Sequence, residues 1–340
     1  RLAGVYDPTG DLGSDYTKQR NYYTRYKNVK EGVDTYWLKQ PVRDAFSQAH
    51  SLYIDGGAEE MRYGIDAMYN QTNGVMKESG RDRYGLGFKL VYRIKDKITL
   101  QNYASYSYTH AYNSPYGSFS QYAKLNPYER IHDEKGEVLP TLLTGLPNPL
   151  YDAQLPNRDF TNSESFTEQL NIDWNIMEGL RLRGQFSFTK GNSEGETYVS
   201  PFSSQYMYDS NGRISVTPVE KRGSLSVSNG KSMNLTGNMT LNYNKMLADK
   251  HLLYVSVGGE MSQSKNESRG FSATGFADDR YSDPAFAIQY KEDSKPRSSE
   301  SLSRSAGFFA NVNYIYDNRY FVDFSYRVDG KSDFGSKKRY

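Results

Sequence analysis

The chain has 340 residues, a formal charge of +2, no cysteine and 31 tyrosines. Near-neutral charge without a basic cluster gives no electrostatic footprint for nucleic acid. Zero cysteine excludes a disulfide scaffold and thiolate metal sites. No apolar run reaches the roughly 18 residues of a membrane helix. A β-barrel survives these exclusions, because half of each strand and all of each outer loop can be polar.

Residues 1–50 come first and lack a sustained period. Tyr6-Asp7-Pro8-Thr9-Gly10, then Tyr16, Tyr22, Tyr23 and Tyr26 among basic residues, read as an ordered, irregular loop, and Trp37 to Ala49 is predicted to carry a short amphipathic helix. From Ser51 onward the pattern changes to period two. Tyr84, Leu86, Phe88, Leu90, Tyr92 and Ile94 alternate with Gly85, Gly87, Lys89, Val91 and Arg93. Leu170, Ile172, Trp174 and Ile176 oppose Gln169, Asn171, Asp173 and Asn175, and Leu182, Phe186 and Phe188 oppose Arg181, Arg183, Gln185 and Ser187. Met239 and Leu241 stand against Thr236, Asn238, Thr240 and Asn242; Val322, Phe324 and Tyr326 stand against Asp323, Ser325 and Arg327. A helix shows no such parity.

The connections are of two kinds. Short ones, rich in turn formers, fall at Gly57 to Glu60, Asp96-Lys97, Glu178-Gly179, Met246 to Lys250 and Asp317-Asn318. Long ones fall at Gln71 to Asp82, Tyr112 to Ser165, Gly191 to Ser232 and Gln263 to Ser303, with another beginning at Gly330. Strict alternation of short and long is what a transmembrane barrel needs, with short turns on the periplasmic side and long loops outside. The runs, about 10 to 14 residues, exceed the globular mode of about 5 to 6 and match the roughly 9 to 11 that a tilted membrane strand requires. The predicted class is therefore all-β, a transmembrane antiparallel up-and-down barrel over residues 51–340, entered from the segment 1–50. Tyr103, Tyr106, Tyr108, Tyr243, Tyr314, Tyr316 and Tyr320 are candidates for aromatic girdles at the lipid interfaces. Ten such strands alone would leave two unpaired edges in lipid, so a piece of a longer polypeptide is expected. The alternative class is a secreted all-β carbohydrate-binding or structural protein.

Two segments carry a family resemblance. The first is Gly32-Val33-Asp34-Thr35-Tyr36-Trp37-Leu38 followed by His50-Ser51-Leu52-Tyr53-Ile54-Asp55-Gly56-Gly57, Met61-Arg62-Tyr63 and Asn73-Gly74-Val75-Met76-Lys77. The second is Arg319-Tyr320-Phe321 through Arg327-Val328-Asp329-Gly330-Lys331-Ser332-Asp333-Phe334-Gly335, with Arg339-Tyr340. Both resemble the barrel of SusC-like (SusC/RagA) TonB-dependent transporters of the Bacteroidetes. Tyr36 departs from the acidic residue usual before the tryptophan, and Asp333 from the family's common choice there. The resemblance implies a plugged outer-membrane barrel of about 22 strands. It also implies active uptake of an oligosaccharide or, less often, a peptide, with a SusD-like surface lipoprotein as lid. Energy coupling through TonB-ExbB-ExbD would use parts of the molecule outside this chain, including the plug.

Enzyme chemistry finds no footing. The acid pairs Glu59-Glu60, Asp133-Glu134 and Asp278-Asp279 sit in a turn and in loops, and adjacent acids diverge rather than flank a sugar. His50, His110, His132 and His251 have no partners at metal-ligand spacing. No catalytic residue, metal ligand or cofactor is assigned. Gly85-Leu86-Gly87 lacks the third glycine of a dinucleotide loop and reads as packing room within a strand. Asn70, Asn234, Asn238 and Asn266 match a glycosylation pattern, but two of them lie on a strand's polar face and suggest a hydrogen-bonding lumen wall. For substrate contact the aromatic-rich loop after Tyr112 is the candidate: Tyr112, Tyr116, Phe119, Tyr122 and Tyr128 interleave with amide and hydroxyl residues, the mixture that stacks on sugar faces. Residues 191–232 are expected to extend the wall outward as a hairpin, with Asn211-Gly212 as its turn.

Overall fold

A computed structural model describes residues 22–143, 146–207 and 215–333. The expected turn at Asn211-Gly212, the stretch before Tyr22 and the positions Phe334-Gly335 and Arg339-Tyr340 lie outside the described residues. Among the described residues there are eleven strands: β1 (Gln48–Gly57), β2 (Met61–Asn73), β3 (Gly80–Ile94), β4 (Ile98–Tyr112), β5 (Arg158–Met177), β6 (Leu180–Val199), β7 (Ser224–Leu247), β8 (His251–Thr274), β9 (Gln289–Tyr290), β10 (Arg297–Tyr316) and β11 (Tyr320–Lys331). They form one sheet in which each long strand pairs antiparallel with its chain neighbours, β9 being a two-residue addition beside β8. The sheet is open among the described residues, running from β1 to β11.

This meander puts all five short connections at one rim and the long ones at the other, as membrane topology requires. Three of the short turns are built alike. Lys95-Asp96, Ala248-Asp249 and Asp317-Asn318 all have positive φ, the pattern of type I′ turns, whose twist matches that of the flanking strands. Gly57 (φ +133°) and Gly179 (φ +79°) serve the other two, and a Cβ at either would come within 2.1–2.2 Å of a backbone oxygen.

Register carries the parity of one strand across the whole sheet. Ile172 pairs with Leu100 and Gly184, and the same row continues through Met239, Gly259, Phe308 and Val328. The rows above and below hold Leu90, Leu170, Phe186, Met261, Trp174, Leu241 and Tyr326. One face is thus apolar over most of the ten long strands, interrupted on β4 by Asn102, which donates to Glu168 of β5, and it is the lipid face of an outer-membrane barrel. Aromatic rings bound it. His50, Tyr69, Tyr84 and Tyr108 follow one another across β1 to β4 at 5.0–6.4 Å between centroids, and at the opposite rim His251, Tyr314, Tyr316 and Tyr320 cluster at 4.9–6.4 Å. Tyr103 departs from the girdle expectation. It pairs with Lys89 and Gln169 and so lies on the lumen side, because parity overrides proximity to a strand end.

Two further features differ from the expectations. The strands are longer, with β7 and β8 at 24 residues each. At about 3.4 Å per residue and a tilt near 40° such a strand rises ~60 Å, more than twice the ~25 Å apolar band, so the wall stands well above the membrane. Residues expected in the loops at 191–232 and 263–303 are partly strand for this reason. Before β1, the irregular segment contains a helix, α1 (residues 22–30), whereas the helix expected from Trp37 onward is one 3₁₀ turn, Trp37–Lys39. Further short helices, α2 (Phe119–Ala123) and α3 (Pro149–Asp152), lie in the loop between β4 and β5. Among the described residues no helix is long and apolar enough to cross a membrane.

Candidate functional site

The face opposite the lipid lines the lumen, and its composition divides at mid-height. Near the short-turn rim it carries charge. Asp173 accepts from Arg181 Nε at 2.6 Å with Arg183 3.7 Å away, and Arg327 bridges Asp329 (2.7 Å) and Glu260. Toward the loop rim the inward positions become small, uncharged and hydroxylated. They read Ser105, Ser107 and Thr109 on β4; Ser163, Ser165 and Thr167 on β5; Thr189, Gly191 and Ser193 on β6. The panel continues with Ser228, Gly230, Ser232 and Asn234 on β7, Ser264, Asn266 and Ser268 on β8, and Ser299, Ser301 and Ser303 on β10. Such a panel offers many neutral donors and acceptors, its nearest inward charges being Arg81 and Arg83 of β3 at its side and Asp159 and Arg297 at its outer end. Shallow depressions of about 390 and 650 Å³ lie along it, the first around Ser163, Ser165, Gly191, Gly230 and Ser232, the second around Ser226, Ser228, Ser268 and Arg297.

Above this wall the long loops are knitted together. The 22–47 segment and the 113–157 loop share a small core of Trp37, Tyr122 and Leu142, each no more than 3% exposed. Trp37 Nε1 donates to the Asn126 carbonyl (2.9 Å), Thr35 Oγ1 to that of Glu129 (2.8 Å), and Arg130 Nε to Asn28 Oδ1 (2.9 Å). Buried Asn148 caps α3, accepting from Leu150 N and donating to the Leu139 carbonyl. On its far side the same loop is fastened to its neighbours. Asp152 accepts from Ser204 N (2.7 Å), Asn157 from Ser200 N (2.8 Å), and Arg158 reaches both Glu196 (2.7 Å) and Ser282 (2.9 Å). Tyr198, Leu225 and Phe276 form a second buried cluster under these loops. The platform behaves as one packed layer because each loop supplies side chains that satisfy another's backbone.

The aromatic candidates take different places in it. Tyr122 is wholly buried, donating its hydroxyl to the Tyr116 carbonyl (3.0 Å), and burial pushes its phenol well above the ordinary range. Tyr116 is half-buried with Lys77 Nζ 5.6 Å from its ring centroid, and burial raises its phenol as well. Tyr128 is half-buried with the Arg25 guanidinium 6.0 Å from its ring. Phe119 is exposed on α2. Tyr112 closes β4 on the membrane side, 5.4 Å from the His110 ring, rather than on the lumen side. The structure therefore brings Tyr116, Phe119 and Tyr122 onto one loop unit and sets Tyr112 apart. Sequence reasoning missed Trp37, Asn148, Asp152 and Arg158 as the residues that shape the platform. Apart from the Asn148 cap, whose Leu150 partner is two residues on, their partners are 5 to 124 positions away, so no local pattern marks them. Most of the lumen panel lies where the sequence reading expected loops, at 112–165, 191–232 and 263–303, and only the extended strands place it on the wall. Among the described residues no group of three or more metal-ligating side chains occurs.

No protein-family model matches the chain. It is 27% identical over 299 residues to TonB-dependent receptor P26 of Formosa agariphila, covering 84% of the chain and 28% of that relative. It is 24% identical over 339 residues to the TonB-dependent receptor SusC of Bacteroides thetaiotaomicron, covering 91% of the chain and 31% of that protein. In structure it matches the RagAB peptide transporter with a TM-score of 0.71 at 20% identity, over 90% of the chain and 34% of that one. The chain thus spans less than a third of the length of the curated relatives it matches. These relatives are named as receptors and transporters, not enzymes.

Proposed function

We propose, from the premise that this chain is a SusC-like TonB-dependent transporter fragment of the outer membrane, that the whole protein actively imports a neutral oligosaccharide. In this reading residues 1–50 lead into the barrel formed by 51–340, and the remaining strands, plug and TonB-contacting parts belong to the rest of the molecule. TonB-ExbB-ExbD supplies the energy, and a SusD-like lipoprotein seats on the loop platform as a lid. The observation that carries the substrate class is the outer lumen wall, where serine, threonine, asparagine and glycine recur on six neighbouring strands without a fixed charge along most of the height. Neutral hydroxyls match a ligand that is itself a lattice of hydroxyls, whereas a multiply charged ligand would be stripped of water there without a counter-charge. Phe119 is the ring best exposed for stacking on a sugar face, with Tyr116 and Tyr128 beside it and Tyr122 holding the loop from within.

Titration of the purified full-length protein with its lipoprotein against neutral oligosaccharides and against oligopeptides of similar mass tests this. Saturable oligosaccharide binding that falls when Phe119 is changed to alanine is expected. Tighter binding of the peptides overturns the substrate class while leaving the transporter reading in place.

A further inference from the structure

The lipid face is not uniform around the sheet. On β1 to β4 its outer boundary is aromatic, His50, Tyr69, Tyr84 and Tyr108 forming one row. On β6, β7, β8 and β10 the first charged residue above the apolar band is in every case a cation: Lys190, Lys231, Lys265 and Arg304. The carboxylates of the same faces, Glu194, Glu267 and Glu300, stand further out. Arg304 lies 12 residues from Tyr316 of the opposite girdle, or about 30 Å of height at the usual strand rise and tilt. That is the level at which acyl chains end and phosphates begin.

Below Arg304 the surface is hollow. The row that holds Leu90, Leu170 and Phe186 on earlier strands passes through Gly237, Met261, Ala306 and Gly330 on β7, β8, β10 and β11. The loss of bulk leaves a groove of about 360 Å³ with Leu235, Met261, Ala306 and Gly330 as its floor and Gln263 and Arg304 at its upper end. Arg304 is anchored without being neutralised: its Nε donates to Gln263 Oε1 at 2.7 Å, and among the described residues it makes no ion pair. Lys265, by contrast, is already held between Glu267 (2.7 Å) and Glu300 (3.1 Å). An apolar furrow ending at a guanidinium with free N–H groups, at headgroup height, has the chemistry of an acyl chain joined to a phosphate.

We propose that the groove on the membrane face of β7, β8, β10 and β11 is a binding site for a phosphorylated amphiphile of the outer leaflet, one acyl chain lying over Ala306 and Gly330 and its phosphate on Arg304. The site lies on the opposite face from the lumen and rests only on that face being the lipid one. The site would fix one side of the barrel to a boundary lipid, leaving the aromatic β1 to β4 side without such a clamp.

The test is native mass spectrometry of the full-length protein in mild detergent, titrated with diphosphoryl lipid A and with its dephosphorylated form. Wild type should retain the phosphorylated probe the more tightly. Arg304→Gln should weaken that probe about tenfold and leave the dephosphorylated one unchanged, since one charge-assisted contact is lost. Ala306→Phe should displace both by filling the furrow. Heat-modifiable gel mobility confirms that each variant is folded, and Lys89→Gln, on the lumen side, should bind as wild type does. Equal retention of the two probes by wild type, or wild-type binding by both groove variants, overturns the site. Loss of a second copy of the chain in Ala306→Phe with lipid retention intact overturns it in favour of a subunit contact.

Discussion

Arginine placed at Ile172 should cripple the barrel, while arginine at its neighbour Asn171 should not. Ile172 shares its face with Leu100 and sits over Gly184, where a Cβ would lie 2.8 Å from the isoleucine Cγ2. It lies five residues above Met177 at the short-turn rim, which at the usual rise and tilt is about 13 Å, close to the midplane of a ~25 Å band. A lipid-facing arginine at that depth costs roughly 2–4 kcal/mol, a population shift of about 30- to 900-fold. Asn171 pairs with Gln101 and Gln185 on the lumen side, where water and amides solvate a guanidinium and the expected cost stays below about 1 kcal/mol. Heat-modifiable mobility in outer-membrane fractions, followed by urea unfolding in lipid vesicles, measures both. A soluble barrel would also reject arginine at Ile172, so Ile172→Cys is the companion: it should resist a water-soluble thiol reagent and react with a lipid-soluble one. Equal losses from the two arginines, or labelling of Ile172→Cys from water, would refute the face assignment.

Trp37→Ala removes a buried indole and its bond to Asn126, so it should loosen the 113–157 loop by about 3–5 kcal/mol, seen as faster loop proteolysis with the barrel still heat-modifiable. Gly57→Ala should cost about 1–3 kcal/mol in barrel unfolding, because φ is +133° and the new Cβ would press on the Met61 carbonyl; an unaltered unfolding midpoint would contradict the turn geometry. Deleting part of Tyr116 to Tyr128 should weaken growth on the cognate nutrient or co-purification of the lipoprotein while the barrel still inserts; unchanged growth and co-purification reject a role for this loop. In the 275–296 loop, side-chain and backbone hydrogen bonds from Arg280 hold the Asp278 carboxyl below its usual range. This support is complete above about pH 4 and is lost as pH falls through the lowered value, so hydrogen exchange in that loop should speed up only in acid, and less so in Arg280→Gln.

How the chain meets its surroundings was written locally. Alternation at period two names the lipid-facing residues one by one, because a strand has only two faces and a membrane tolerates only one kind on its side. Thus Ile172 and Asn171 could be assigned from their order alone, and Asp96, Asp249 and Asn318 marked the tight turns because few residue types accept positive φ. Nothing local ended β7 beyond the membrane or buried Tyr122 against Trp37. Those outcomes depend on register and on pairs such as Arg158 with Ser282, 124 positions apart, whose energy exists only once the strands have set the loops side by side. The groove beneath Arg304 is of the same kind. Ala306 and Gly330 are ordinary strand residues in sequence, and they make a hollow only because pairing stacks them in one row on the face that meets lipid.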